Sequence, residues 1–376
     1  MKRDLAIDYL RSSITVAVVA HHAALAYNTF SHYDPVRYVR STAPVVDAVR
    51  FAPLDYFVAW NDVFFMALMF LLSGLFVAPA LARKGSARFF ADRAKRLGIP
   101  FAVAVTLVMP LAYYPSWHLS NDAARGGFLR RFFTTDGWPV GPPWFLWLLL
   151  AFSAVAALAS WLVPRSWARL SCPPPTPWGL GLVFLAASLV ATVPMRLFIP
   201  WYAWSRLGGP FAFQTTRLVL YLAWFLLGVS LGGENLDSSL SANNLRPWPL
   251  WLVLGLAGFV AHWLCSGGSV LRAVSPWAGR VILAAIFSFC CTFTSLALVG
   301  AFRALVRFPR AWADSLSENA YGIYIVHYIF VIWMQFLLLP RSFSPAVKFA
   351  VTFTVALGAS WFMTAALRRT VASRVL

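Results

Sequence analysis

Apolar stretches of about twenty residues recur along almost the whole 376-residue chain, and they leave few folds open to it. Each is close to the length a helix needs to cross a bilayer, or slightly longer and so tilted. Ten spans can be drawn, at about 10–30, 54–82, 97–114, 143–163, 178–199, 213–231, 248–264, 277–302, 319–339 and 346–367. Only 12% of the residues are charged, roughly half the share in a soluble protein. The expectation is an all-α membrane protein of about ten transmembrane helices, forming a single transmembrane domain over residues 1–376 with no appended soluble domain. No internal repeat, low-complexity tail or cleavable leader stands out. The basic N-terminus followed by an apolar stretch reads as a retained first helix.

A net charge of +18 would suggest a nucleic-acid partner in a soluble chain. Here Lys and Arg sit in short loops between spans, and no basic aromatic module accompanies them. With both termini cytoplasmic, the inside segments carry eighteen Lys and Arg and the outside ones nine, a bias that supports this orientation. Trp138, Trp144, Trp147, Trp201, Trp204, Trp248 and Trp251 fall near span ends, as interfacial anchors do. Cys172, Cys265, Cys290 and Cys291 show no metal or redox spacing, and Cys290-Cys291 reads as packing. Residues 172–177 form a stiff, proline-rich connection. No metal site is expected.

Chemistry is expected where polar groups enter apolar spans. Arg11 and His22 are eleven residues apart, which returns them to within roughly 20° of one helix face with a rise of about 16 Å. His21 points about 100° away from His22, so only one of the two histidines shares the arginine's face. A snorkelling arginine and a packed histidine are the structural alternative. Arg88, Arg93 and Arg96 precede Pro100 at the start of the third span. They are a cytoplasmic flank by charge alone, or a site for a phosphate-bearing polyanion. Ser73-Gly74 closes the second span and reads first as a small-residue helix contact. Tyr321, Tyr324 and His327 share a helical stretch, with Tyr324 and His327 neighbours at i, i+3. Arg196 and Arg217 lie within or at the ends of spans five and six, where arginines line cavities or pair. No HExxH, P-loop, GxSxG or GxGxxG pattern is convincing.

In these residues the chain resembles acyltransferase family 3, and its layout is similar to that of the periplasmic-glucan succinyltransferase branch. The resemblance rests on Ile7-Asp8 with Arg11 and His22, on Ser73-Gly74, on Arg93, Arg96 and Pro100, on Trp144-Phe145-Leu146, and on Tyr321, Tyr324 and His327. These pieces run in order over nearly the whole chain. Two features depart from the family. Many relatives carry an acidic residue where this chain has Ala67, and many append an extracellular hydrolase-like domain.

The resemblance implies transfer of an acyl group, acetyl or succinyl, from cytoplasmic acyl-CoA to a carbohydrate hydroxyl at the outer face of a bacterial inner membrane. CoA would be a co-substrate rather than a bound cofactor. It implies His22 and Arg11 as the catalytic residues, His22 as general base and Arg11 about 16 Å away at the cytoplasmic rim, with Arg88, Arg93 and Arg96 at the CoA phosphates. Ser73, Trp144, Arg196, Arg217, Tyr321, Tyr324 and His327 would line the substrates. Ser73, Tyr324 or an arginine would face the developing oxyanion, and Arg196 or Arg217 would take a succinyl carboxylate. The loop at about 115–142, with Arg125, Arg130, Arg131 and several aromatics, is the expected acceptor contact or, equally, an interfacial belt. The main alternative is a transporter or flippase for a glycan or lipid-linked sugar, and the lack of internal pseudo-symmetry weighs against it. A further one is a sensor or assembly component whose polar residues only join helices.

Overall fold

The computed structural model describes residues 4–121, 126–134, 137–163, 176–232, 240–267, 271 and 274–375. Cys172, Arg125, Lys2, Arg3, Arg165, Arg169, Arg272 and most of the proline-rich connection lie outside the described residues.

The chain forms α1 (Leu5–Ala24), α2 (Pro53–Lys84) and α3 (Ser86–His118). The short α4 (Phe128–Phe133) leads to α5 (Trp144–Leu162) and α6 (Pro177–Phe198). An antiparallel pair, β1 (Trp204–Arg206) and β2 (Ala212–Gln214), precedes α7 (Leu218–Leu231). Then follow α8 (Trp248–Ser266), α9 (Pro276–Leu305), α10 (Ala311–Leu338) and α11 (Pro345–Leu367).

Eight of these helices are long and apolar enough to cross a membrane. α1 and the 17-residue helical stretch Thr215–Leu231 fall outside that set, so two of the ten expected spans rest on weaker apolar signals. Two boundaries also move. The basic Arg88–Arg96 segment is helical and belongs to α3, and α10 starts at Ala311 rather than near 319. Both additions are amphiphilic helix ends that an apolar count leaves out.

Local chemistry explains several helix starts. Thr176-Pro177, Ser275-Pro276 and Ser344-Pro345 each put a hydroxyl at the N-cap and proline at the first helical position. Asp4 caps α1 by accepting from the Ile7 amide at 3.2 Å. α3 carries two π-helical turns, Ala94–Gly98 and Ala104–Val108. Its prolines leave carbonyls without their helical donors. The Arg96 carbonyl, four residues before Pro100, accepts from the Tyr321 hydroxyl at 2.5 Å. The Leu111 carbonyl, four before Pro115, accepts from the Trp333 indole at 2.9 Å. The Val105 carbonyl would meet Pro110 in a π register, and it accepts from the Trp138 indole at 2.8 Å. Two of these three donors come from α10, so the prolines of α3 help dock it onto that helix.

α1 is the hub and packs against α2, α9, α10 and α11. Its exit is tied to the start of α2: the Asn28 side chain and the Thr29 amide both donate to Asp55 at 2.9 Å. In the same connection Asp34 accepts from the backbone amides of Arg37 and Val36, and these donors hold its carboxyl below the ordinary range. A buried Lys348–Asp47 pair at 2.6 Å joins that connection to α11.

Several of the tryptophans expected as interfacial anchors also pack against protein. Trp251 is fully buried, Trp144 stacks on Tyr221, and the Trp147 indole donates to the Ala212 carbonyl. Trp201 and Trp204 are exposed. Span ends at which the chain folds back into the bundle place tryptophans against protein rather than at a water boundary. Cys290 and Cys291 are fully buried packing residues, as expected.

Candidate active site

The centre of the site is the seam between α1 and α10. At one end Tyr9 donates to Asp314 at 3.1 Å, and Ser12 and Ser317 share a hydrogen bond at 3.0 Å. At the other end the Gln335 amide donates to the carbonyls of His22 and Ala23. Between them His327 Nε2 lies 3.1 Å from His22 Nδ1.

The neighbours of this pair assign the protons of the neutral rings. His327 Nδ1 is 2.7 Å from the Tyr324 carbonyl, which can only accept, so Nδ1 carries hydrogen and Nε2 is a lone pair. His22 Nδ1 sits between that lone pair and the Val18 carbonyl, 3.0 Å away, so it too carries hydrogen. The remaining lone pair of His22 is on Nε2, and no described residue bonds it. His22 keeps part of its surface accessible, whereas His327 is fully buried. One imidazole is thus held and aimed by the other, an arrangement suited to taking a proton.

His21 faces the other way. It stacks on Phe65 of α2, and its buried Nδ1 has no hydrogen-bond partner. It lies in electrostatic reach of Asp62, a residue that the sequence reading missed. Asp62 Oδ2 pairs with Arg217 at 2.5 Å, and the Asp62 carbonyl accepts from the same guanidinium at 2.6 Å. Arg217 and Arg196 both lie over the Phe287 ring, at 5.1 and 4.4 Å. The Asp62 side chain is 37% exposed although it sits well inside α2, so it borders an opening in the bundle. Ala67 of the same helix is buried. The signal available was a lone carboxylate inside an apolar span.

A second stripe of α10 leads from the histidines to the basic end of α3. Tyr321 donates to the Arg96 carbonyl, Tyr324 donates to the Pro142 carbonyl, and His327 meets His22. Six residues of helix cover about 9 Å. Arg93 is half-buried over the Phe89 ring, while Arg88 and Arg96 are exposed. Pro142 reaches Tyr324 because the 137–143 stretch dips between α3 and α10. Gly141 makes that turn at φ +54, where a Cβ would lie 2.5 Å from Met109 Sδ. Arg130 and Arg131 sit on α4, before this dip.

Other expected residues divide. Arg11 pairs with Asp8 at 3.3 Å and leaves 43% of its side chain exposed. The unbroken α1 keeps it three turns from His22, at the helix end rather than at the histidine. Ser73 donates to the Met69 carbonyl one turn back at 2.8 Å. Gly74 is the true helix contact, since a Cβ there would lie 2.2 Å from the Phe225 carbonyl. Ser73 and Tyr324 both donate their hydroxyl protons to carbonyls in this structure. Trp144 packs among Tyr221, Trp204 and Phe70. Arg217 has its charge answered by Asp62, and Arg196 has no carboxylate at ion-pair distance among the described residues. Among those residues no cluster of metal-ligating groups occurs.

Residues 4–365 match the family model described as an acyltransferase domain, and the chain belongs to acyltransferase family 3. It is similar to glucans biosynthesis protein C of Salmonella schwarzengrund, at 23% identity over 60% of this chain and 57% of that protein. It is 22% identical to the proteins of that name from Salmonella paratyphi B and Salmonella agona over the same shares. The chain therefore aligns with somewhat more than half the length of these curated relatives. No solved structure matches it.

Proposed function

We propose that this membrane acyltransferase moves an acetyl or succinyl group from acyl-CoA to a hydroxyl of a cell-envelope carbohydrate, a glucan among the candidates, across a bacterial inner membrane. The reading rests above all on the proton arrangement at His22–His327, which leaves His22 Nε2 as an unengaged lone pair on an accessible ring.

CoA phosphates would dock at Arg93 and Arg96, with exposed Arg88 at the rim, on the cytoplasmic side. The α10 stripe from Tyr321 to His327 would guide the pantetheine arm inward. His22 Nε2 takes the proton of the acceptor hydroxyl, and the oxygen adds to the thioester carbonyl. The tetrahedral intermediate collapses, the C–S bond breaks, and the CoA thiolate recovers the proton from His22. While His22 is protonated, its Nδ1–H still points at the His327 lone pair and the Val18 carbonyl, so no reorientation is needed.

The reading is tested by heating the purified protein with acetyl-CoA or succinyl-CoA. At a donor concentration a hundred times Kd, a native-state ligand stabilises by about 2.7 kcal/mol, a clear rise in Tm. Release of free thiol should accompany an added glucan. Absence of any thermal shift with every CoA species tried would overturn the donor assignment.

A further inference from the structure

Away from the histidines, α6 and α9 clasp each other with two arginines. Arg196, in the last turn of α6, donates to the Leu283 carbonyl at 3.4 Å. Arg280, near the start of α9, donates to the Leu197 carbonyl at 2.7 Å. Neither has a carboxylate at ion-pair distance among the described residues. One carbonyl engages only one of the five N–H donors of a guanidinium, so each arginine keeps donors in reserve.

Between them opens a cavity of about 390 Å³, lined by Arg196, Arg280, Leu283, Pro200, Trp201 and Tyr202. That volume falls within the roughly 300–1,000 Å³ of small-molecule sites. Its wall is held in place: the Thr216 hydroxyl donates to the Pro200 carbonyl at 2.6 Å, and the Ala203 amide to the same oxygen at 2.9 Å. Trp201 and Tyr202 are 59% and 65% exposed, so their rings are open to an incoming ligand.

Guanidiniums grip phosphate or carboxylate oxygens in a forked geometry, and aromatic faces cover the C–H faces of a sugar ring. We propose that the Arg196–Arg280 cavity binds the anionic group of a phosphorylated or acidic saccharide. The inference extends the acyltransferase reading by giving its acceptor a chemistry. If every helix connection reverses the chain, the end of α6 lies on the side where α1 ends. Through Phe287 the cavity is one arginine layer from Arg217 and Asp62, and so from His21.

The test is binding, measured apart from transfer. Glucose 6-phosphate, glucuronate and glucose are titrated calorimetrically into the full-length protein in phosphatidylcholine nanodiscs. The anionic sugars should bind about tenfold or more tighter than glucose. Arg280→Gln should erase that preference while keeping the CoA-induced thermal shift, which also reports its folding. Trp201→Ala, on an exposed ring, should weaken all three sugars without altering the thermal shift. Nanodiscs containing phosphatidylglycerol should leave sugar affinities unchanged. Equal binding of the three sugars, wild-type behaviour of Arg280→Gln, or loss of sugar binding to the anionic lipid would overturn the proposal, the last by making the site a lipid headgroup clamp. A missing CoA shift in the wild type would instead strike at the donor reading alone.

Discussion

Two adjacent histidines face regions built on opposite principles. The His22 side, between α1 and α10, is largely uncharged: hydroxyls, carbonyls, an amide and a second imidazole bond one another, and His22 Nε2 is left open. The His21 side, between α2, α7 and α9, is charged: Asp62 and Arg217 pair, and two guanidiniums lie over one phenylalanine. In the neutral seam a proton taken up by His22 meets no carboxylate and is answered only by the Val18 carbonyl and the His327 lone pair. A charged layer holds its geometry at the cost of desolvation, and is the harder of the two to alter.

The largest effect should follow from breaking the charged layer. Arg217→Met leaves Asp62 without its partner and should destabilise the fold by about 3–5 kcal/mol. The double variant Asp62→Asn, Arg217→Met should recover much of that loss in thermal melts. Equal melting of single and double variants would show that the pair does not act as a unit. Next comes the close approach of α2 and α7, where Gly74→Ala should cost about 1–3 kcal/mol through overpacking. The neighbouring Ser73→Ala should melt within roughly 0.5 kcal/mol of wild type, since its hydroxyl only returns to its own helix. If the order of these two is reversed, the small-residue contact has been assigned to the wrong position.

On the neutral side, His327→Ala removes the acceptor that aims His22. It should lower kcat about tenfold, the worth of one hydrogen bond, with little change in donor KM. A change confined to KM would make His327 a binding residue. Tyr321→Phe should cost about 1 kcal/mol by stranding the Arg96 carbonyl that Pro100 cannot serve. The smallest effect lies in the connection after α1. Asp34 contributes stability above the ordinary carboxylate range and loses it as pH falls through its lowered native pKa. The protection factors of the Val36 and Arg37 amides, taken relative to their intrinsic exchange rates, should therefore fall in acid, and Asp34→Ala should remove that pH dependence.

Much of this was legible in the chain. Apolar length marked eight helices long enough to cross a membrane, with the starts of α3 and α10 misplaced, and threonine or serine stands before proline at three helix starts. His22 and His327 were both singled out. Their contact was not, because it joins residues 305 apart and sequence spacing speaks only within one helix. The same limit hid Asp62–Arg217, separated by 155 residues. Trp138 and Trp251 show a related limit: closeness to a span end does not tell a ring at the membrane surface from one packed against the bundle. Proline carried more than expected, since each helical proline also predicts an unclaimed carbonyl some four residues earlier.

The central claim is that His22 takes the acceptor's proton while the basic end of α3 holds the donor. It is tested most directly by measuring CoA affinity and acyl transfer side by side in His22→Ala and in Arg93→Ala, Arg96→Ala. His22→Ala should bind CoA as the wild type does and lose transfer by about 10²–10⁴-fold. The arginine variant should bind CoA weakly and regain transfer at high donor concentration. Transfer that survives His22→Ala, or CoA affinity unchanged in the arginine variant, would contradict the account.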